Sequence, residues 1–289
     1  MVDAMKVNPS NHGQSSPNEI TLVLGASGKT GRRVVHRLEA MGHPVRTGSR
    51  SASPPFDWHD PSGWSEVIDG VTSIYIAYHP DLASPGASQA IEKLIGIARD
   101  HRVRKIVLLS GRGEEEARRC EELVLASGIP ATVVRCAWFN QNFSENFMCD
   151  MVMGGVIALP VGGVREPFVD ADDIAEVAVA VLTQDGHDGR IYELTGPELL
   201  RFDEAAARLS EATGREIRFQ SVPHPEFMAG MRAAALPDEL APLIDYLFTE
   251  VLDGRNESLA DGVQRVLGRP ARSFADYARK ASAEGHWNP

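Results

Sequence analysis

The stretch ITLVLGASGKTG, residues 20–31, decides the fold. Five apolar or β-branched residues end in Gly25, and a second and third glycine follow at Gly28 and Gly31. An apolar run of this length, closed by glycine, reads as a buried strand. Residues 31–42 then place apolar side chains at 34, 35, 38 and 41 before a glycine stop, which is helical spacing. A glycine-rich turn between strand and helix lets the backbone approach a pyrophosphate. The helix N-terminus adds free N–H groups and a positive dipole. This predicts a dinucleotide site on Gly25, Ser27, Gly28, Lys29, Thr30 and Gly31, against the plainer reading of a turn without a ligand. The letters SGKT also end a phosphate-binding P-loop motif. That motif needs a glycine where this chain has Val23, so it does not apply.

The same rhythm continues outward. Strands are expected at residues 44–49, 71–78, 104–110 and 130–136, with helices at 88–101 and 114–128. Asp60-Pro61 has the form of a helix start. Alternation of this kind implies a doubly wound α/β domain around a parallel sheet, and several strands are apolar on both faces as such sheets require. A helix at 168–184, capped by Asp170, and a strand at 190–196 return to the sheet. The expected division is a tail at 1–18, a nucleotide-binding domain at 19–155 with 168–196 returning to it, and a smaller lobe at 197–289. That lobe is expected to be mainly helical, with helices at 203–213, 225–235 and 237–252.

Composition narrows the function classes. Of 289 residues, 43% are hydrophobic and 24% charged, which excludes a mostly disordered chain. The net charge of −11 opposes a general nucleic-acid-binding role, because phosphate contacts need clustered Lys and Arg. Cys120, Cys136 and Cys149 have neither metal-ligand spacing nor the numbers of a disulfide framework, and their scarcity fits the cytoplasm. The first 17 residues are polar and hold no signal-like apolar stretch, and no run is long enough to span a membrane. The expected partner is a small molecule of aromatic or cyclic type, acting on a monomer or homodimer.

Cofactor choice rests on the end of the second strand. An NAD site usually places Asp or Glu there, whereas this chain reads Thr47-Gly48-Ser49-Arg50-Ser51. Arg50 offers a guanidinium to a 2′-phosphate, with Ser49 beside it, and NADP(H) is expected over NAD(H). The alternative to this reading is a solvated loop charge at Arg50. Asp57 and Trp58 are placed beside the adenine, and Ala77 and Tyr78 at the end of the following strand. Ser110 ends the next strand, on the rim where open α/β sheets bind ligands. Trp138, Phe139 and Asn140 follow the strand after that and suit a nicotinamide or aromatic substrate wall. Ser110, Tyr78 and Trp138 are the candidates for contact with the reacting groups. Glu114-Glu115-Glu116 reads as a helix first turn favoured by the dipole.

The glycine loop, the Arg-ended second strand and LLSGRGEEEA (108–117) resemble the NmrA-like atypical short-chain dehydrogenase/reductases. SGIPATVVRCAWFNQNFSE (127–145), EPFVDADDIAEVAVAVLT (166–183), YELTGPELLRFDEA (192–205) and LDGRN (252–256) are similar to the festuclavine/agroclavine dehydrogenase-type branch and its bacterial relatives. The resemblance implies a Rossmann core, NADPH, and a substrate cleft between core and C-terminal lobe. The ergot-alkaloid members reduce an iminium-type C=N bond. Short-chain dehydrogenases commonly use a Tyr-x-x-x-Lys pair, and none of the five tyrosines here has lysine four residues on. Ala117 and Glu121 stand where many relatives carry Lys-x-x-x-Glu. Two readings follow: an NADPH-dependent reductase of an imine, iminium or quinone-like acceptor, or a non-catalytic NADP(H) sensor acting through a protein partner.

Overall fold

The computed structural model describes residues 19–234, 237 and 240–288. The expected tail at 1–18 lies outside the described residues, as do parts of the expected helices 225–235 and 237–252. The chain begins β1 Ile20–Leu24, α1 Gly31–Ala40, β2 Val45–Gly48, α2 Trp64–Ile68, β3 Val71–Ile76 and α3 Ala87–Asp100. It continues β4 Lys105–Gly111, α4 Glu115–Leu125 and β5 Ala131–Cys136. Then come α5 Met148–Met153, β6 Val156–Leu159, β7 Arg165–Glu166, α6 Ala171–Thr183 and β8 Arg190–Leu194. The last part holds β9 Leu200–Arg201, α7 Phe202–Thr213, β10 Arg218–Ser221, α8 His224–Ala233, α9 Ala241–Tyr246, α10 Gly262–Leu267 and α11 Phe274–Ala283.

Six strands form one parallel sheet in the order β2-β1-β3-β4-β5-β8. The connection from β1 goes outward to β2 and then crosses to β3. The carboxyl ends of β1 and β3 therefore open a crevice between oppositely running crossovers. Leu22, Val23 and Leu24 are fully buried, as a strand covered on both faces must be. Val34, Leu38 and most of α6 cover one face; α2, α3 and α4 cover the other through Trp64, Ile91, Leu94 and Val124. The apolar positions of α1 have helical spacing. It closes at Gly42, whose φ of +75° takes the left-handed turn that stops it. The Asp170 carboxylate accepts the Asp172 N–H at 2.8 Å, capping α6 as its sequence indicated.

A second core is aromatic. Phe143, Phe168, Phe202 and Phe274 are fully or almost fully buried and meet edge to face or tilted, with Tyr277 and Trp287 beyond them. Burying each such ring contributes about 1.5–3 kcal/mol. The lobe is not purely helical. β6 and β10 form a parallel ribbon, and β7 pairs antiparallel with β9. The two cores also interleave along the chain. Phe143 through Val161 pack in the aromatic core, while Val263, Val266 and Ala271 return to the α6 face of the sheet. Asp173, fully buried in α6, fastens that return through ion pairs with Arg269 and Arg272. The expected helix over 237–252 is α9 followed by a π-turn, Leu247–Val251. No helix among the described residues is long and apolar enough to cross a membrane.

Candidate active site

The three glycines do different work. Gly25 has φ +74°, and a Cβ there would lie 2.5 Å from the Ala77 carbonyl oxygen. A Cβ on Gly31 would lie 2.1 Å from the Gly25 oxygen, so this glycine seats the helix against the strand. Gly28 is exposed and tolerant by comparison, with a Cβ 3.2 Å from the same oxygen. Its N–H donates to Gly25 at 2.9 Å, which closes the turn. Ser27 and Gly28 face outward, Lys29 is half-buried, and burial pulls the Lys29 ammonium below its ordinary pKa. Thr30 points inward: it is buried and accepts the Tyr75 hydroxyl at 3.0 Å. Next to the loop, Arg32 and Arg33 both pair with Glu145. Burial opposes ionisation of Glu145, but bonds from the two arginines hold its carboxyl below the usual range.

A cleft of about 780 Å³ runs from this loop across the carboxyl ends of the strands. Such a volume suits a cofactor or drug-sized ligand. Gly25, Ser27, Gly28 and Lys29 line one end. Ala77 and Tyr78 after β3, Ser110 in β4, and Trp138 and Phe139 after β5 line its length. The far wall is apolar, made by Leu243, Leu247, Phe248 and Val251, with the Trp138 and Phe248 rings 5.7 Å apart. The structure thus brings together most of the residues singled out in the sequence.

Others lie elsewhere. Thr30, Gly31, Ser49, Arg50, Asp57, Trp58 and Asn140 do not line the cleft. Arg50 is exposed and has no ion-pair partner among the described residues, and the Ser49 and Ser51 hydroxyls are 3.2 Å apart. Asp57 accepts the His59 N–H at 2.9 Å, and its carbonyl accepts the Trp64 indole N–H. Trp58 reaches the cleft only through Tyr78, its ring 4.6 Å from the phenol ring. Asn140 is fully buried with neither amide atom partnered. Ser110 does line the cleft, but its hydroxyl donates to Glu121 at 2.6 Å. Glu121 is itself held by Arg135, whose Nε lies 2.9 Å away and which also pairs with Glu193. Ser110 can therefore accept a hydrogen bond from a ligand while its own hydrogen is committed.

Three acids escaped the sequence reading. Glu114, the N-cap residue of α4, is 9% exposed and turns into the cleft, unlike Glu115 and Glu116 on the surface side. Asp81, just beyond β3, lines the same wall, and its carboxylate accepts the Ala83 N–H at 2.8 Å. Glu166, in β7, is 2% exposed, and burial pushes its carboxyl up to about 7 against the pull of Arg112. One oxygen each of Glu114 and Glu166, and the Trp138 indole nitrogen, are buried without partners. Orphaned polar atoms on a cleft wall are where a ligand is expected. Burial also raises the Tyr78 phenol. The β4–α4 turn is pinned from the second lobe: Asn256 donates to the Arg112 carbonyl at 3.2 Å, and the Arg112 guanidinium donates to Ser258. This gives the LDGRN stretch a structural role. No His, Cys, Asp or Glu cluster among the described residues is arranged to hold a metal ion.

No family model matches the chain. It is 30% identical over 279 residues to agroclavine dehydrogenase of Claviceps fusiformis, covering 89% of this chain and 95% of that one. Identity is 31% over 286 residues to (4-alkanoyl-5-oxo-2,5-dihydrofuran-3-yl)methyl phosphate reductase of Streptomyces griseus, covering 89% and 96%. Prestalk A differentiation protein A of Dictyostelium discoideum is 29% identical, covering 90% and 91%. Among solved structures, the fold matches an NADPH-dependent quinone oxidoreductase of Escherichia coli complexed with NADPH, at TM-score 0.76, 20% identity and coverage of 90% and 99%. It also matches NmrA, a negative transcriptional regulator, complexed with NAD, at TM-score 0.70, 15% identity and coverage of 94% and 97%.

Proposed function

Because the chain belongs to the NmrA-like atypical short-chain dehydrogenase/reductase family, we propose that it is an NADPH-dependent reductase of a small cyclic or aromatic acceptor. The acceptor class is a C=N bond, imine or iminium, or a quinone-like ring. The observation that carries this reading is the continuity of the cleft. It begins at a glycine cradle with no room for side chains at Gly25 and ends at an apolar wall facing Trp138.

The residues present fit a dinucleotide. Gly28 and the first amides of α1 would receive the pyrophosphate. Lys29 and Arg32 would offset its charge, Arg50 would take the 2′-phosphate, and Tyr78 and Phe139 would flank the nicotinamide. Asp57 and Trp58 support the adenine side from outside the cleft. Bound NADPH supplies a hydride to the acceptor. The protein orients that acceptor against the Trp138–Phe248 ring pair, presents the Ser110 oxygen as a hydrogen-bond acceptor, and excludes water with the 243–251 wall. Residues 197–289 provide the substrate-recognising part. The relatives' names support a reductase: one is a dehydrogenase, one a reductase, and each spans nearly the same length as this chain. Three free thiols, two of them buried, fit a cytoplasmic setting.

The test is direct. NADPH binding is measured by calorimetry, followed by NADPH consumption with a panel of cyclic imines, iminium salts and quinones. Stoichiometric consumption with an acceptor, altered by Trp138→Ala, supports the reading. Binding without consumption, together with a protein partner captured in only one cofactor redox state, would replace it with a sensor role.

A further inference from the structure

Reduction of a neutral C=N or C=O group takes up a proton as well as a hydride, and this chain has no Tyr-x-x-x-Lys pair to give one. The cleft wall holds a different arrangement. Asp81 follows the end of β3 and Glu114 is the N-cap residue of α4, so two neighbouring strand ends bring two carboxyl groups to the same wall of the cleft. The turn is tight around them: a Cβ on Gly111 would fall 2.2 Å from a Glu114 carboxylate oxygen. Glu114 is nine-tenths buried, and its Oε2 has no partner. Neighbouring carboxylates on one buried wall do not both ionise freely, so such a pair holds one proton between them.

We propose that the Asp81–Glu114 pair is the proton store of the cleft, with Glu114 the donor to the acceptor's nitrogen or oxygen and Asp81 its positioning residue. The proposal rests on the reductase reading above. The step balances. The hydride of NADPH forms a new C–H bond with its two electrons, the acceptor's π bond breaks, and the heteroatom takes the proton from Glu114. Glu114 is left as a carboxylate and regains its proton from solvent, while NADPH leaves as NADP⁺.

The surroundings favour a protonated Glu114. Burial pushes its carboxyl well above the ordinary range, and the charges of Asp81 and Glu121 push it further. Burial also raises Asp81, partly offset by the Ala83 amide at 2.8 Å. Cys136 and Cys120 feel the charges of the pair, and burial raises both thiols. Arg112 and Glu166 line the cleft as well, and the neighbouring Glu115 amide donates to the Tyr246 hydroxyl at 3.3 Å. Of the arginines that line the neighbouring recess with Glu114, Arg135 is occupied by Glu121 and Glu193, and Arg112 by Ser258 and Glu193.

The experiment compares native protein with Glu114→Gln and Asp81→Asn. In the cofactor-free protein, infrared difference spectra across a pH titration should show a protonated carboxyl at neutral pH that Glu114→Gln removes. In turnover, the rate ratio of a neutral imine to an N-alkylated iminium should fall about 10²–10⁴-fold in Glu114→Gln, the usual range for a lost general acid. Asp81→Asn should shift the pH profile of kcat/KM and leave NADPH affinity near native. An unchanged acceptor ratio in Glu114→Gln, or protonated-carboxyl absorbance at neutral pH that is the same in the native protein and in Glu114→Gln, overturns the proposal; Glu166 adds the same absorbance to both and cancels in the difference. A native protein that consumes no NADPH with any acceptor fails the reductase reading and the donor role together. The infrared band distinguishes that outcome from a wrong choice of carboxyl.

Discussion

Glu166→Gln isolates the energetics of one buried acid. Native Glu166 is 2% exposed, and burial pushes its carboxyl up to about 7. The Arg112 guanidinium and the Trp138 amide resist that shift, and Glu257 adds to it. In the unfolded chain the group titrates near the ordinary glutamate value, about 4.3. Between these two values the folded protein holds a proton that the unfolded chain has released. Stability then falls as pH rises through the interval. At about 1.36 kcal/mol per pH unit, the group should cost the native protein about 2.5 kcal/mol between pH 5 and pH 8. Glutamine has the shape of the protonated acid and does not ionise, so the variant should lack this slope. Urea unfolding of both proteins at the two pH values gives the double difference directly, with all other titrating groups cancelling. The native protein should lose about 2.5 kcal/mol relative to the variant on going from the lower pH to the higher. A double difference within about 0.5 kcal/mol of zero would show that Glu166 is ionised at both pH values, and the reasoning from burial would fail.

Arg50→Ala should remove about 1.5–3 kcal/mol of preference for NADPH over NADH, the contribution of a charge-assisted phosphate contact; calorimetry with both cofactors checks it, and equal native affinities contradict it. Gly31→Ala should destabilise the protein even without cofactor, because its Cβ would collide with a backbone oxygen at 2.1 Å. Gly28→Val should instead fold and lose NADPH affinity; thermal unfolding and titration of the two variants separate these outcomes. Asp173→Asn should cost about 3 kcal/mol in denaturant unfolding, the low end for breaking a buried ion pair, since its partners Arg269 and Arg272 are each about a third exposed.

The nucleotide-binding half was legible because its signals are local. A strand, a glycine turn and a helix lie within one short window, and each later strand is marked by its own apolar run. The ribbon of Val156–Leu159 with Arg218–Ser221 had no such mark. Each strand is four residues, the second is mostly polar and exposed, and their pairing exists only once the aromatic core has formed. The site divides in the same way. Ser27, Gly28, Tyr78 and Trp138 lie at strand ends and could be placed by counting. That the Ser110 hydroxyl is occupied depends on Arg135 of the next strand holding Glu121, which spacing along the chain does not show. Glu114 reads as one of three glutamates in a helix first turn. Only the sharp turn at Gly111–Gly113 and the Asn256 contact aim it inward.

The π-turn at Leu247–Val251 bears on how new specificities can arise on this scaffold. Its Leu252 N–H bonds back to the Leu247 carbonyl at 3.0 Å, a five-residue step where an α-helix takes four. Such a widening is equivalent to one residue inserted into a regular helix. The segment carries Leu247, Phe248 and Val251 into the cleft and joins no sheet, so the insertion displaces ring-facing side chains while every strand keeps its register. Deleting one residue here would turn Phe248 about 100° around the helix and away from Trp138. Single-codon insertions and deletions in this short stretch are therefore a route to a different acceptor repertoire that leaves the nucleotide half untouched.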